Sequence, residues 1–159
     1  MKGNVKLEIE LVPKTCWYSN LRSKLPPTLW DSLRSRVYAK AHYRCEICGG
    51  KGDKWPVEAH EVWTYDDEAG IQKLEAVVGL CPDCHEAKHY GLAETRGRVD
   101  FAIAQLMRVN GWTRKQADAH IAESYRVWAV RSTREWTHDL SVLDRYGKGL
   151  LAAVETPGK

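Results

Sequence analysis

CPDCHEAKH, residues 81–89, places two cysteines and two histidines within nine positions, and which of them share a metal decides the fold around them. Cys45-x2-Cys48 and Cys81-x2-Cys84 are two identical spacings with 32 residues between them. Each C-x2-C unit pinches one ion from a tight turn, and the two together complete a tetrahedral four-thiolate site. Zinc is preferred over iron, since no redox-partner sequence adjoins the site. Pro82 suits the first position of a helix, where its missing N–H costs nothing. On that helix His85 and His89 are four apart and project from one face. At about 100° per residue the mean direction of this pair lies roughly a quarter turn from that of Cys81 and Cys84, so one ion does not hold all four. Two back-to-back sites follow. A third ligand for the second site stands upstream in VEAHEV, where His60 and Glu61 fall on an expected strand. Three protein ligands with open positions describe a catalytic metal rather than a structural one.

The remaining composition limits what such a centre serves. The chain has 159 residues, 43% of them apolar and 28% charged, with seven tryptophans, which suits a single globular domain with a real core. Its opening, MKGNVKLEIELVPK, interrupts its apolar positions with charges, and no later stretch approaches a membrane span, so an intracellular, cytoplasmic setting is expected. In a reducing compartment five cysteines read as ligands or free thiols rather than a disulfide framework. Cys16, which has no partner at a useful spacing, is expected to be a small buried apolar residue. The net charge of +3 permits a polyanionic partner without demanding one.

Along the chain, Val5, Leu7, Ile9 and Leu11 alternate with polar neighbours and predict a strand over residues 4–12, stopped by Pro13. From Thr28, read as an N-cap, a helix is expected to about Ala41. A glycine-rich knuckle then leads into a hairpin. The helix of residue 82 onward is expected to be short, with Gly91 as its stop. Another spans 98–110 and ends at Asn110-Gly111, and Thr113 with Gln116 opens the next by a capping box. This last pair reads as a helical hairpin, or as a helix-turn-helix presenting Thr113 to Gln116 to bases. A short helix over His138 to Tyr146 and a frayed tail from about 152 complete the reading.

The order C-x2-C, a strand with a His-centred dipeptide, then L-C-x2-C-H-x3-H resembles the HNH endonucleases, in their ββα-metal, treble-clef form with an added four-cysteine zinc site. The resemblance spans residues 45–89, just over a quarter of the chain. It implies an α+β fold with three parts: an N-terminal strand and basic helix (1–44), the HNH module (45–92) and a helical extension (93–150), with 151–159 as a tail. It implies zinc on Cys45, Cys48, Cys81 and Cys84, and a catalytic divalent ion (Mg2+, Mn2+, Ni2+ or Zn2+) on His60, His85 and His89. It further implies phosphodiester hydrolysis in DNA, with no small-molecule organic cofactor.

By position, Glu61 falls where the family usually has its general-base histidine, and Ala76 where its asparagine is expected. Glu61 is therefore either the base, or a ligand with His60 as base; Asp66 and Asp67 read as turn carboxylates. Arg34, Arg36, Lys40, Arg44, Lys51 and Lys54 flank the first cysteine pair and are the expected phosphate contacts. The alternative is a zinc-stabilised nucleic-acid-binding module that does not cut, favoured by Glu61 and Ala76.

Overall fold

Two strands, β1 (Glu58–Asp66) and β2 (Ile71–Leu80), form an antiparallel hairpin. Its turn is set by Asp66, whose Oδ1 accepts the N–H groups of Glu68 and Ala69 at 3.1 and 2.8 Å. Gly70 follows in the left-handed region, with φ of +72°, where a side chain would also collide with the Arg134 guanidinium. Register slips once: Val62 faces Ala76 and Trp63 faces Leu74, leaving Glu75 as an extra residue. This bulge shifts the alternation, so Leu74 and Val77, three apart, reach the same apolar cluster. The Tyr146 hydroxyl accepts the Val77 N–H at 2.9 Å beside the bulge.

The structure, a computed structural model, describes residues 5–16 and 20–155. It is α+β, with seven α-helices among the described residues and one three-stranded sheet in which the short β3 (Thr137–Asp139) pairs parallel to β2. The helices are α1 (Leu21–Lys24), α2 (Pro27–Lys40), α3 (Pro82–Lys88), α4 (Tyr90–Thr95), α5 (Val99–Asn110), α6 (Arg114–Arg131) and α7 (Leu150–Glu155). One apolar cluster joins Leu33 and Val37 of α2, Leu74 and Val77 of β2, and Leu143 and Leu150. A second joins the cysteine region to α3, α5 and the N-terminal segment through Leu7, Leu80, Cys84, Ile103 and Leu106. β2 contributes to both cores, Leu74 and Val77 to the first and Leu80 to the second, while α3 packs on the second through Cys84 and Ala87.

Several local expectations are met. Thr113 and Gln116 form the reciprocal capping box at the start of α6. Gly111, at φ of +67°, closes α5. Others are corrected. No strand forms over residues 5–13, and Asn4 lies outside the described residues. The side chains of this segment alternate as a strand's would, but its peptide groups bond elsewhere. Lys6 and Leu7 donate to Asn110 Oδ1 (2.9 Å each), Ile9 donates to His120 Nε2 (3.0 Å), and Glu10 donates to the Lys88 carbonyl (2.8 Å). Helix α2 begins on Pro27, with no side-chain cap from Thr28. Gly91 lies inside α4, because α3 ends at His89 and the chain turns directly into another helix. The region read as a helix over 138–146 is β3 followed by a 3-10 turn at Ser141–Arg145. Residues 151–155, expected as tail, are helical, and Leu150 and Val154 are buried. Positions 156–159 lie outside the described residues.

Candidate metal centres

Two groups of side chains converge. Cys45, Cys48, Cys81 and Cys84 form the first, with ligand atoms all within 4.8 Å of one another. The Cys48 and Cys81 sulfurs are 3.7 Å apart, close to the roughly 3.8 Å edge of a tetrahedron with Zn–S bonds of about 2.3 Å. Cys81 also caps α3, accepting the Cys84 N–H. The Cys45 thiol is pulled down to about 4, chiefly by a hydrogen bond from Cys84, while burial pushes Cys81 up to about 11 and the bond to Cys45 pushes Cys84 upward. One thiolate thus forms at its neighbours' expense. A divalent cation is what lets four crowded sulfurs ionise together. Gln105 on α5 donates to the Cys84 sulfur at 3.3 Å, anchoring the cluster to the helical core. The group suits a structural metal such as zinc.

His60, His85 and His89 form the second group, again with ligand atoms within 4.8 Å of one another and ring centroids 4.7 to 5.1 Å apart. His60 comes from the buried face of β1, and the other two from consecutive turns of α3 and its cap. Carboxylates orient two of the rings. His60 Nε2 donates to Glu10 at 2.7 Å, and His85 Nδ1 donates to Glu58 at 2.9 Å. Each bond fixes the tautomer, so the opposite nitrogen presents a lone pair. The opposite nitrogen of His60, Nδ1, is buried without a hydrogen-bond partner among the described residues. The opposite nitrogen of His85, Nε2, stands 3.1 Å from His89 Nε2. Three imidazole nitrogens this close together, one of them buried without a partner among the described residues, fit a divalent transition-type cation.

The electrostatics agree. Burial lowers the His60 pKa despite its bond to Glu10, and brings His89, whose outer edge still meets solvent, to about 4 with help from His85 and His60. Both rings are therefore neutral, the form that ligates metal. Burial opposes ionisation of Glu10, but the hydrogen bond to His60 and the charges around it, including Lys88 at 3.6 Å, hold its pKa below the usual range. The bond from His85 does the same for Glu58.

Glu61, next along β1, lines the same cavity as the three histidines, a cavity of about 590 Å³ that also takes in Arg22 and Trp30. One Glu61 oxygen accepts the Leu21 N–H at 3.0 Å, and burial raises the carboxyl pKa to about 7. Asp66 and Asp67 point elsewhere: the first holds the hairpin turn and the second pairs with Arg131 at 2.8 and 3.0 Å. Ala76 pairs with Val62 on β2 and carries no polar group to the site.

The expected phosphate contacts are spread out. Arg34 lines a second cavity that ends at His85, and pairs with Asp31 at 2.8 Å. Arg36 donates to the Tyr146 carbonyl and Arg44 to the Gly49 carbonyl; Lys40, Lys51 and Lys54 are exposed. Arg22, unlike any of these, borders all three cavities that reach His85. Thr113 and Gln116 are occupied in capping and Arg114 pairs with Asp118, which leaves little of the helix-turn-helix reading.

Glu10 and Gln105 escaped the sequence reading because they reach the site through folding. Glu58 left a signal: it is two residues before His60, hence on the same side of the strand. No model of a known protein family matches the chain, nor does any curated protein or solved structure. No helix is long and apolar enough to cross a membrane among the described residues.

Proposed function

We propose that the chain is a metal-dependent DNA endonuclease of the HNH kind. The observation that carries this reading is the convergence of three imidazoles, two with carboxylate-fixed tautomers, on a point beside a separate four-cysteine cage. The hairpin β1–β2 followed by α3 presents these groups in the order expected of a ββα-metal module. β3, from the segment expected as a helical extension, pairs with β2 of this hairpin.

A divalent ion held by His60, His85 and His89 would supply charge to a phosphate oxygen and to the leaving 3′ oxygen. The protein's own groups do the rest. Glu61 takes the proton of the attacking water. A carboxyl with a pKa of about 7 is a better base at neutral pH than an ordinary glutamate, because it is matched to the working pH and still largely ionised just above it. The Leu21 N–H fixes the direction of that carboxylate, so Ala76 need not. Arg22, exposed at the rim and with no ion-pair partner among the described residues, holds the phosphate near the cavity. Arg34 and the lysines of the knuckle attract the flanking backbone in a salt-sensitive way.

The test is nicking of supercoiled plasmid in magnesium or manganese by the wild type and by His85→Ala. Conversion by the wild type and its loss in the variant is the expected result. Equal cutting by both assigns the activity elsewhere. An inert wild type that binds DNA tightly returns the protein to the non-cutting module.

A further inference from the structure

Four aromatic side chains form a groove that the metal chemistry does not use. Trp30 and Tyr38 lie on the same side of α2 as Arg34, at intervals of four residues, while Leu33 and Val37 face the core. Tyr43 enters from the turn after α2, and Trp55 from the end of the cysteine knuckle. Together they line a cavity of about 510 Å³ that runs to His85, a volume in the range of small-ligand sites.

Two of these rings are conspicuously open. Tyr43 is 53% exposed and Trp55 50% exposed. Tyr43 is held there by two successive non-glycine residues in the left-handed region, His42 at φ of 54° and Tyr43 at 57°. That conformation is unfavourable for both residues and persists only where its surroundings impose it. Trp55 is fixed too, since its Nε1 donates to Glu58 Oε2 at 3.0 Å. The other oxygen of Glu58 accepts from His85. One carboxylate therefore joins the groove wall to an imidazole of the metal centre.

The charges of the groove are sorted in a useful way. Asp31 is occupied by Arg34, and Glu58 by Trp55 and His85. Arg22, at the junction with the histidine cavity, is the cation left for a ligand among the described residues. Aromatic faces with an arginine at their edge suit a flat π-system joined to a phosphate, and a base in a duplex offers no free face for that contact.

We propose that this groove binds unstacked bases of single-stranded DNA next to the bond to be cut, Trp55 and Tyr43 supplying the stacking surfaces and Arg22 the adjoining phosphate contact. The inference rests on the nuclease reading for its choice of DNA. It makes the substrate a strand that is single-stranded, or opened, on one side of the cut.

The test is equilibrium binding by fluorescence anisotropy, without added divalent ion, of a labelled strand of roughly 12 nucleotides and of its blunt duplex. The single strand is expected to bind at least about tenfold more tightly. Trp55→Ala and Tyr43→Ala should each weaken single-strand binding about tenfold, the scale of one lost base–aromatic stack, with duplex binding unchanged. Trp55→Phe keeps a ring face and should restore most of the affinity, and circular dichroism should show each variant folded. Equal affinity for the two forms, an equal loss on both, or no binding of either overturns the proposal. Its failure is separable from that of the nuclease reading: equal cutting by wild type and His85→Ala sinks the nuclease, whatever the strand preference.

Discussion

Glu10 and Glu61 are both half-buried carboxyls lining the cavity of the three rings, and desolvation acts on them in opposite balance. Glu10 has the His60 N–H and the Lys88 ammonium to offset desolvation and stays ionised. For Glu61 burial outweighs the Leu21 N–H and a side-chain bond from Trp63, and its pKa rises to about 7. A raised carboxyl pKa means that the native state binds a proton more readily than the unfolded chain does. The resulting stabilisation is full below pH 4.5 and is lost as the pH climbs through about 7. Glu61→Gln, which can still accept from Leu21, should therefore be more stable than wild type at pH 8, on the order of 1–2 kcal/mol by chemical denaturation, with the difference vanishing near pH 4. The same variant should lose 10²-fold or more in plasmid cleavage, measured as initial nicking rate. Glu10→Gln acts differently. Loss of the carboxylate that sets the His60 tautomer should weaken divalent-ion binding at the histidines by about 10- to 100-fold in calorimetric titration, leaving the thiolate-bound metal in place. The convergence of the four cysteines, and of His85 with His89, was legible because C-x2-C and H-x3-H are local geometry. Glu10 was not, because it is 50 residues from His60 with nothing in its neighbourhood to mark it.

At the scale of elements, the N-terminal segment shows what an alternating pattern does and does not say. Leu7 and Ile9 are buried in alternation, as period-2 reading requires, but the pattern reports which side chains are covered and not what receives the peptide hydrogen bonds. Asn110 receives two of them and returns one to the Leu7 carbonyl at 2.6 Å. Asn110→Ala should cost about 1–3 kcal/mol in urea unfolding, since it leaves part-buried backbone groups unpaired, and should speed hydrogen exchange at Leu7. The helices were easier to read. Thr113, Gln116 and Gly111 are end signals that act within a few residues of themselves, so tertiary context had little to change. Gly91 misled for the complementary reason. A glycine permits a helix stop without requiring one, and α4 packs Tyr90 and Ala93 into the core across it. The bulge at Glu75 and the late strand β3 had no local signal at all.

For the molecule as a whole, α3 is the element on which both centres depend. Cys84 and His85 are neighbours on it, one facing the sulfur cage and the other the imidazole site. Withdrawal of the thiolate-held metal by a strong chelator should lower the thermal midpoint by many degrees and abolish divalent-ion binding at the histidines as well. The double change His60→Ala/His85→Ala should instead leave one metal per chain, counted by native mass spectrometry. The contrast follows from packing, because the cysteine cage belongs to a buried apolar cluster and the histidines border open cavities. Thiolate sulfur is also the group of this assembly that peroxide oxidises most readily, and Cys48 is the cage member that is only half-buried. Should an oxidant weld two of the four sulfurs into a covalent bridge, the ion they grip would depart and the shaft carrying the imidazoles would lose its bearing. On the nuclease reading proposed above, cleavage would then cease under oxidative stress with the imidazoles chemically untouched.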